Sequence, residues 1–171
     1  KTTILPDGKN HGLVVAVDWS GSMNTVMKDT IRQAIQMAMF CRAINIPFEV
    51  YSFSSVGENF EDSRHNPVKF KAGDKDIHSN LTMRNYLSSR MSKTEFKECV
   101  RALAVCANAM DWDSSISTRR GDMLGATPLD DCIYARADIL PGYRQQNGIE
   151  DLNTLIISDG DTTSQLLQQN Q

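Results

Sequence analysis

Four apolar residues, Val14, Val15, Ala16 and Val17, run into Asp18, Trp19, Ser20, Gly21 and Ser22. A short β-branched apolar run reads as a buried strand of a parallel sheet, so 13–17 is the first predicted strand. The period then changes. Val26, Met27, Ile31, Ala34, Ile35, Ala38 and Met39 recur at helical spacing, while Lys28, Asp29, Arg32, Gln33 and Gln36 fall on the other face. Asn24 is the expected N-cap, and Asn45 with Pro47 closes the helix near residue 44. Residues 48–54 alternate and are rich in aromatics, which predicts a second strand. Strand, helix and strand over 13–54 make a right-handed βαβ unit with parallel strands.

Beyond this unit the pattern weakens and then recovers. Residues 56–76 are polar, with Val68, Lys69 and Phe70 as a short edge strand. From 81 to 110 the chain is largely helix-compatible, with Leu81, Tyr86, Leu87, Met91, Phe96, Val100, Leu103 and Ala107 as apolar positions. Ser92 or Thr94 starts a second helix there, with Ser92 and Glu95 matching a capping box. Residues 111–120 read as a loop. Thr127 as N-cap, Pro128 at the first helical position and Asp130 as capping partner open a helix that Pro141 and Gly142 stop near 140. Leu155, Ile156 and Ile157 form another buried strand, ending in Ser158, Asp159, Gly160 and Asp161. Residues 1–12, with a Pro6-Asp7-Gly8 turn, form a lead-in or linker. Residues 13–171 form one domain, in which 56–120 is the variable, partly helical segment. The expected fold is a Rossmann-like three-layer α/β/α domain with a mostly parallel central sheet.

Composition narrows the function more than the fold. The chain has 171 residues and a net charge of −3, which gives no pull towards nucleic acid or an anionic membrane. No apolar run approaches the ~20 residues needed to span a bilayer. No secretory signal opens the chain, and Lys1 in place of an initiator Met leaves room for an upstream segment. Cys41, Cys99, Cys106 and Cys132 form no Cys-x-x-Cys pair and sit in helix-like apolar patterns. They are expected to be buried, reduced thiols of a cytoplasmic protein. The Met residues of the first helix are read as packing on the sheet.

The chemistry concentrates where strands end. Asp18, Ser20 and Ser22 supply one carboxylate and two hydroxyls from a single tight turn, and Gly21 is expected to let the backbone make it. The carboxyl edge of an α/β sheet is where ligands bind. Hard oxygen donors suit Mg²⁺, with Mn²⁺ or Ca²⁺ as alternatives. Thr127, in Gly-Ala-Thr-Pro-Leu, and Asp159, in Ile-Ser-Asp-Gly, are delivered to the same edge by later segments.

These three segments resemble the von Willebrand factor A (VWA) family and its metal-ion-dependent adhesion site. That family's pattern is Asp-x-Ser-x-Ser, a distant Thr and a distant Asp followed by Gly, matched here by Asp18, Ser20, Ser22, Thr127 and Asp159. The resemblance covers about 13–165 and is weakest over 56–120. It implies that Ser20 and Ser22 bind the ion directly, Thr127 directly or through water, and Asp18 and Asp159 partly through water. It also implies that an open coordination position takes an Asp or Glu from a partner. Thr127 is thus expected to be both ligand and helix cap. Met23 after the motif and the Ser-Asp-Gly ending look like intracellular members, closest to the CobT-type cobaltochelatase subunit and related phage-encoded proteins. For phage-encoded members the location is the host cytoplasm. In that group the partner is an AAA+ ATPase of the MoxR or chelatase type. A complete member continues with a further helix, strand and helix, so the sheet is expected to be short by one or two strands.

Other readings compete. Two strand-end Asp residues are also found in haloacid dehalogenase-type phosphatases. Those need a second carboxylate two residues after the first, where Ser20 stands. A serine nucleophile wants a His base, and His11, His65 and His78 lie in no motif. No His/Cys pair has zinc spacing, and no phosphate-cradling Gly-rich loop occurs. Arg64, Arg119 and Arg120 read as solvated loop charges. The expectation is therefore a non-enzymatic, metal-dependent protein-binding domain acting as adaptor to an AAA+ ATPase. A virion or structural interaction protein on the same scaffold is the alternative.

Overall fold

Strand β1 (His11–Asp18) lies at the centre of the sheet, paired in parallel with β2 (Phe48–Ser54) on one side and β4 (Asp151–Ile157) on the other. The computed structural model describes residues 10–55, 81–110 and 122–160. The lead-in up to residue 9, the strand expected at 68–70, the loop at 111–120, His65, His78, Arg64, Arg119 and Arg120 lie outside them. The four described strands form one sheet in the order β3-β2-β1-β4, with β3 (Thr82–Ser88) antiparallel to β2. The domain is thus α/β with a mixed, mostly parallel sheet flanked by helices.

Alternation along β1 sets the layers, because successive strand side chains point to opposite faces. Val15 and Val17 pack with α1 (Met27–Ala43) and α2 (Lys93–Ala109), together with Phe48, Val50 and Leu87. Val14 and Ala16 face the other way, towards Tyr143 and Cys132 of α3 (Leu129–Gln146). Asp18 continues the second series, at its carboxyl end.

Helix α1 buries Met27, Ile31, Ala34, Ala38 and Cys41, a run spaced by three and four residues. Asn45 takes a left-handed φ of 61°, and the N–H groups of Asn45 and Ile46 donate to the carbonyls of Arg42 and Cys41. This is a Schellman ending, with Asn in the usual place of Gly. The start differs from expectation. Ser22–Thr25 forms a 3-10 turn, α1 begins at Met27, and Asn24 caps nothing because it lies inside that turn.

The span 81–110 divides into β3 and α2 instead of being largely helical. Helix α2 starts as expected, with the reciprocal Ser92–Glu95 capping box formed. Upstream, Thr82, Asn85 and Tyr86 are weak helix formers, and pairing with the aromatic strand β2 decides the conformation. The pairing carries an irregularity between Val50 and Tyr51.

Two further expectations are corrected. Helix α3 runs through Pro141 and Gly142 to Gln146. Pro141 forfeits one helical hydrogen bond, but the last turn is held by buried Tyr143. Arg144 also donates from Nε to the Ile149 carbonyl at 3.0 Å and from Nη2 to the Glu150 carbonyl at 2.6 Å. Strand β4 starts at Asp151, earlier than read, and none of its residues is fully buried. It pairs with β1 on one side and with no other described strand. The four cysteines are free thiols on helices, Cys41 and Cys132 buried and Cys99 and Cys106 half-buried. Burial pushes the Cys132 thiol up to about 11. Among the described residues no helix is long and apolar enough to cross a membrane.

Gly12 marks a close approach. A Cβ there would lie 2.5 Å from Ile149 Cδ1. Gly12→Ala is expected to cost about 1–3 kcal/mol in urea unfolding, the usual range for overpacking. Ile149→Val in the same chain, by removing the obstructing methyl, should recover part of that loss.

Candidate functional site

Asp18 ends β1 with its side chain fully buried. The backbone continues in register for one more step, with the Trp19 N–H donating to the Phe53 carbonyl at 2.9 Å, and then turns. Ser20 is 1 % exposed and Ser22 is exposed, with their hydroxyl oxygens 3.0 Å apart. Gly21 at φ −62° is ordinary helical backbone, and a Cβ there would meet its nearest atom at 3.9 Å. The turn therefore does not require glycine, contrary to expectation.

A second segment, 122–128, lies across the ends of β1 and β2. The Gly21 N–H donates to the Gly125 carbonyl at 2.8 Å, and the Gly125 N–H to the Trp19 carbonyl at 3.0 Å. Ser20 and Gly125 thus form a short parallel bridge. The Ala126 N–H donates to Ser55 Oγ at 2.8 Å, just past β2. These bonds bring Thr127, 4 % exposed, into the site region. Thr127 does not cap α3. The N-cap is Pro128, with no side-chain capping bond, so neither the Thr127–Asp130 capping box nor the dual role of Thr127 is realised.

The third segment leaves β4. Ser158 Oγ donates to Asp18 Oδ2 at 2.7 Å and accepts from the Gly160 N–H at 3.2 Å. Asp159, between them, is exposed. Gly160 has a φ of 93°, the left-handed conformation that glycine takes without strain.

The motif pattern gives no notice of what supports the site. Trp19 is buried on the α1/α2 side, stacks on Tyr86 at 5.1 Å, and donates from Nε1 to the Asp122 carbonyl at 2.9 Å. Tyr86 donates its hydroxyl to Asp122 Oδ1 at 2.8 Å, and Arg84 stands 3.7 Å from the same oxygen. Burial, reinforced by Asp122, holds the Tyr86 phenol well above its ordinary range, so it stays protonated as a donor. Asp122 thereby fixes the start of the segment that delivers Thr127. The sequence signal is a Trp directly after the strand-end Asp, but the helix-compatible spacing of 81–110 hides its partner Tyr86, which lies on β3. Glu49, also missed, is a buried carboxylate on β2. It accepts from Ser88 Oγ and Arg90 Nε, both at 2.9 Å, and from Asn85 Nδ2. These bonds tie β2 to β3 and the turn after it, away from Asp18. A lone acid within an aromatic strand was its sequence signal.

Burial raises the Asp18 carboxyl above its ordinary 3.8; hydrogen bonds from Ser158 and Ser20 oppose the shift, and the nearby Asp159 charge adds to it. Asp18 Oδ1 is buried and makes no hydrogen bond. An acceptor left unpaired in a dry site is costly, and a cation or a proton would satisfy it. Among the described residues no three His, Cys, Asp or Glu side chains gather as a metal cluster. A cation here would rest on hydroxyls with two carboxylates, a donor set that fits a hard ion such as Mg²⁺. His11 sits at the opposite end of β1 from Asp18. No protein-family model, curated protein or solved structure matches the chain.

The raised Asp18 value makes the folded state the tighter proton binder. Stability then falls as pH rises from 3.8 through the folded value, and stays at the lower level above it. In EDTA at neutral pH, Asp18→Asn is expected to raise the melting temperature by a few degrees. Melts over an acid-to-neutral series should show that gain vanish at the acid end.

Proposed function

We propose that the chain is a VWA-type, metal-dependent protein-binding domain. In this reading Asp18, Ser20, Ser22, Thr127 and Asp159 hold a divalent cation, with Mg²⁺ the first choice and Mn²⁺ or Ca²⁺ as alternatives. The observation that carries the reading is the meeting of three chain segments at the end of β1, where Asp18 is buried with an unpaired oxygen and two hydroxyls lie 3.0 Å apart.

The division of labour follows from exposure. Asp18, Ser20 and Thr127 are buried and form the floor; Ser22 and Asp159 are exposed and form the rim. A bound cation supplies a positive centre that attracts an acidic side chain. The chain's own part is to hold few charges around that centre. With two carboxylates and three hydroxyls, it leaves positive charge for a partner's Asp or Glu to meet. Such a site docks a protein and needs no general base, so the chain is read as a binding module and not an enzyme.

The partner in this reading is an AAA+ ATPase of the MoxR or chelatase type, with the chain acting as its adaptor in the cytoplasm. It rests on the resemblance of the Trp19–Met23 and Ser-Asp-Gly segments to intracellular VWA proteins, and of residues 48–53 and 87–91 to phage-encoded ones.

Mg²⁺ at on the order of 100-fold its Kd should raise the melting temperature by about 5–10 °C, and Asp18→Ala should remove the shift. Thr127→Ala should fold normally and lose about 10–100-fold in Mg²⁺ affinity by calorimetry. Unchanged affinity in both variants, titrated from an EDTA-stripped state, sinks the proposal. Capture of an AAA+ protein that depends on Mg²⁺ and on Asp18 tests the partner. Capture of a structural protein alone would favour the scaffold alternative.

A further inference from the structure

One polar side chain at the site has no place among the five proposed ligands, yet it makes the shortest hydrogen bond there. Ser158 Oγ donates to Asp18 Oδ2 at 2.7 Å and accepts from the Gly160 N–H at 3.2 Å. We propose that Ser158 is a positioning residue for the cation site, holding Asp18 by one oxygen so that the other stays free for the ion. The inference rests on the cation-binding reading above.

The argument is one of donors and acceptors. A carboxylate offers two oxygens with about four lone-pair positions, and left to rotate it would distribute them among the neighbouring hydroxyls. The Ser158 bond fixes one oxygen. Oδ1 remains buried and without a hydrogen bond. A hydroxyl suits the task because it brings a donor and no charge. An amide or ammonium would bring more donors than Oδ2 can use, and a carboxylate would repel Asp18.

Ser158 is itself held in place. Its hydroxyl has one hydrogen, given to Asp18, and lone pairs that accept from Gly160. That second bond closes a turn of the kind Ser and Thr side chains make with the backbone two residues on. The left-handed backbone of Gly160 accompanies it. Ser158, just past β4, is half-buried against Asp18, while its neighbour Asp159 is exposed. One hydroxyl thus fixes the orientation of the Asp18 carboxylate.

The test uses the full chain with Mn²⁺, followed by calorimetry and by the Mn²⁺ paramagnetic resonance spectrum. Ser158→Ala should weaken Mn²⁺ binding by about 10–100-fold, the usual range for loss of an orienting partner, and broaden the spectrum of the bound ion. Ser158→Thr should restore both. Wild-type affinity in Ser158→Ala overturns the proposal, as does equal loss in the Ala and Thr variants with circular dichroism unchanged. Should Ser158→Ala fail to fold, Thr is compared with Cys, a weaker donor of similar size. Tight binding by Thr and weak binding by Cys supports the role, and equal binding overturns it. Asp18→Asn separates the two claims. If the wild type binds no Mn²⁺ against an EDTA blank, or Asp18→Asn binds it as tightly as the wild type, the cation reading itself fails. If Asp18→Asn loses the ion while Ser158→Ala keeps it, only the role of Ser158 falls.

Discussion

A carboxylate enclosed at the end of the central strand is the constraint to which the surrounding structure answers. Taking an ionised group from water into a protein interior costs several kcal/mol unless partners replace the lost hydration. Asp18 receives its partners from chain segments far apart in sequence. Ser158 reaches it from the end of β4 with a hydrogen bond to Oδ2, and Ser20 follows it in its own turn. The 122–128 segment closes over the turn through backbone bonds to Trp19 and Gly21. Compensation is left incomplete at Oδ1. Most buried acids in stable folds are fully satisfied, and Glu49 shows that this chain can do so, with Ser88, Arg90 and Asn85 around its two oxygens. The contrast between these two acids is the strongest physical reason to read Asp18 as functional and Glu49 as architectural.

The scaffold makes that enclosure possible. Because β1 is an interior strand, Asp18 ends it fully buried. Alternation sends Val15 and Val17 to α1 and α2, and Val14 and Ala16 to α3, so both faces of the strand are covered up to the last turn. The Trp19–Tyr86–Asp122 assembly then fixes the covering segment from the α1/α2 side. An aromatic stack and a protonated phenol bonded to the Asp122 carboxylate give this anchor rigidity.

Much of this was legible in the chain, for identifiable reasons. Strands β1 and β2, the body and end of α1 and the Ser92 start of α2 follow from strong local signals: apolar runs, helical spacing, a capping box and Asn45. Local signals failed where tertiary contacts outweighed them. Thr82–Ser88 has apolar positions compatible with a helix, and pairing with β2 made it a strand. Pro141 and Gly142 stop most helices, yet buried Tyr143 and the Arg144 bonds carry α3 past them. The acids and hydroxyls of the site were visible as a pattern, because strand ends and turns advertise polar residues. What supports them was not. The partners of Asp122 and Ser158 are defined by who meets whom across the sheet, which no spacing rule encodes. Gly21 is the opposite case, a residue whose meaning was overread, since its backbone needs no glycine.

The span of the Ser158–Asp18 hydrogen bond, 140 residues, also bears on how the protein comes to be. Parallel pairing of β1 with β4 requires the chain to close a very long loop before either strand gains anything from it. Such contacts are slow to form and come late in folding. The β1–β2 unit can assemble early, and it presents Asp18, Ser20 and Ser22 without their counterpart. During synthesis Asp18 therefore leads its Ser158 partner by 140 residues. The pairing that seats Ser158 against Asp18 is thus, among the described contacts, one that forms late.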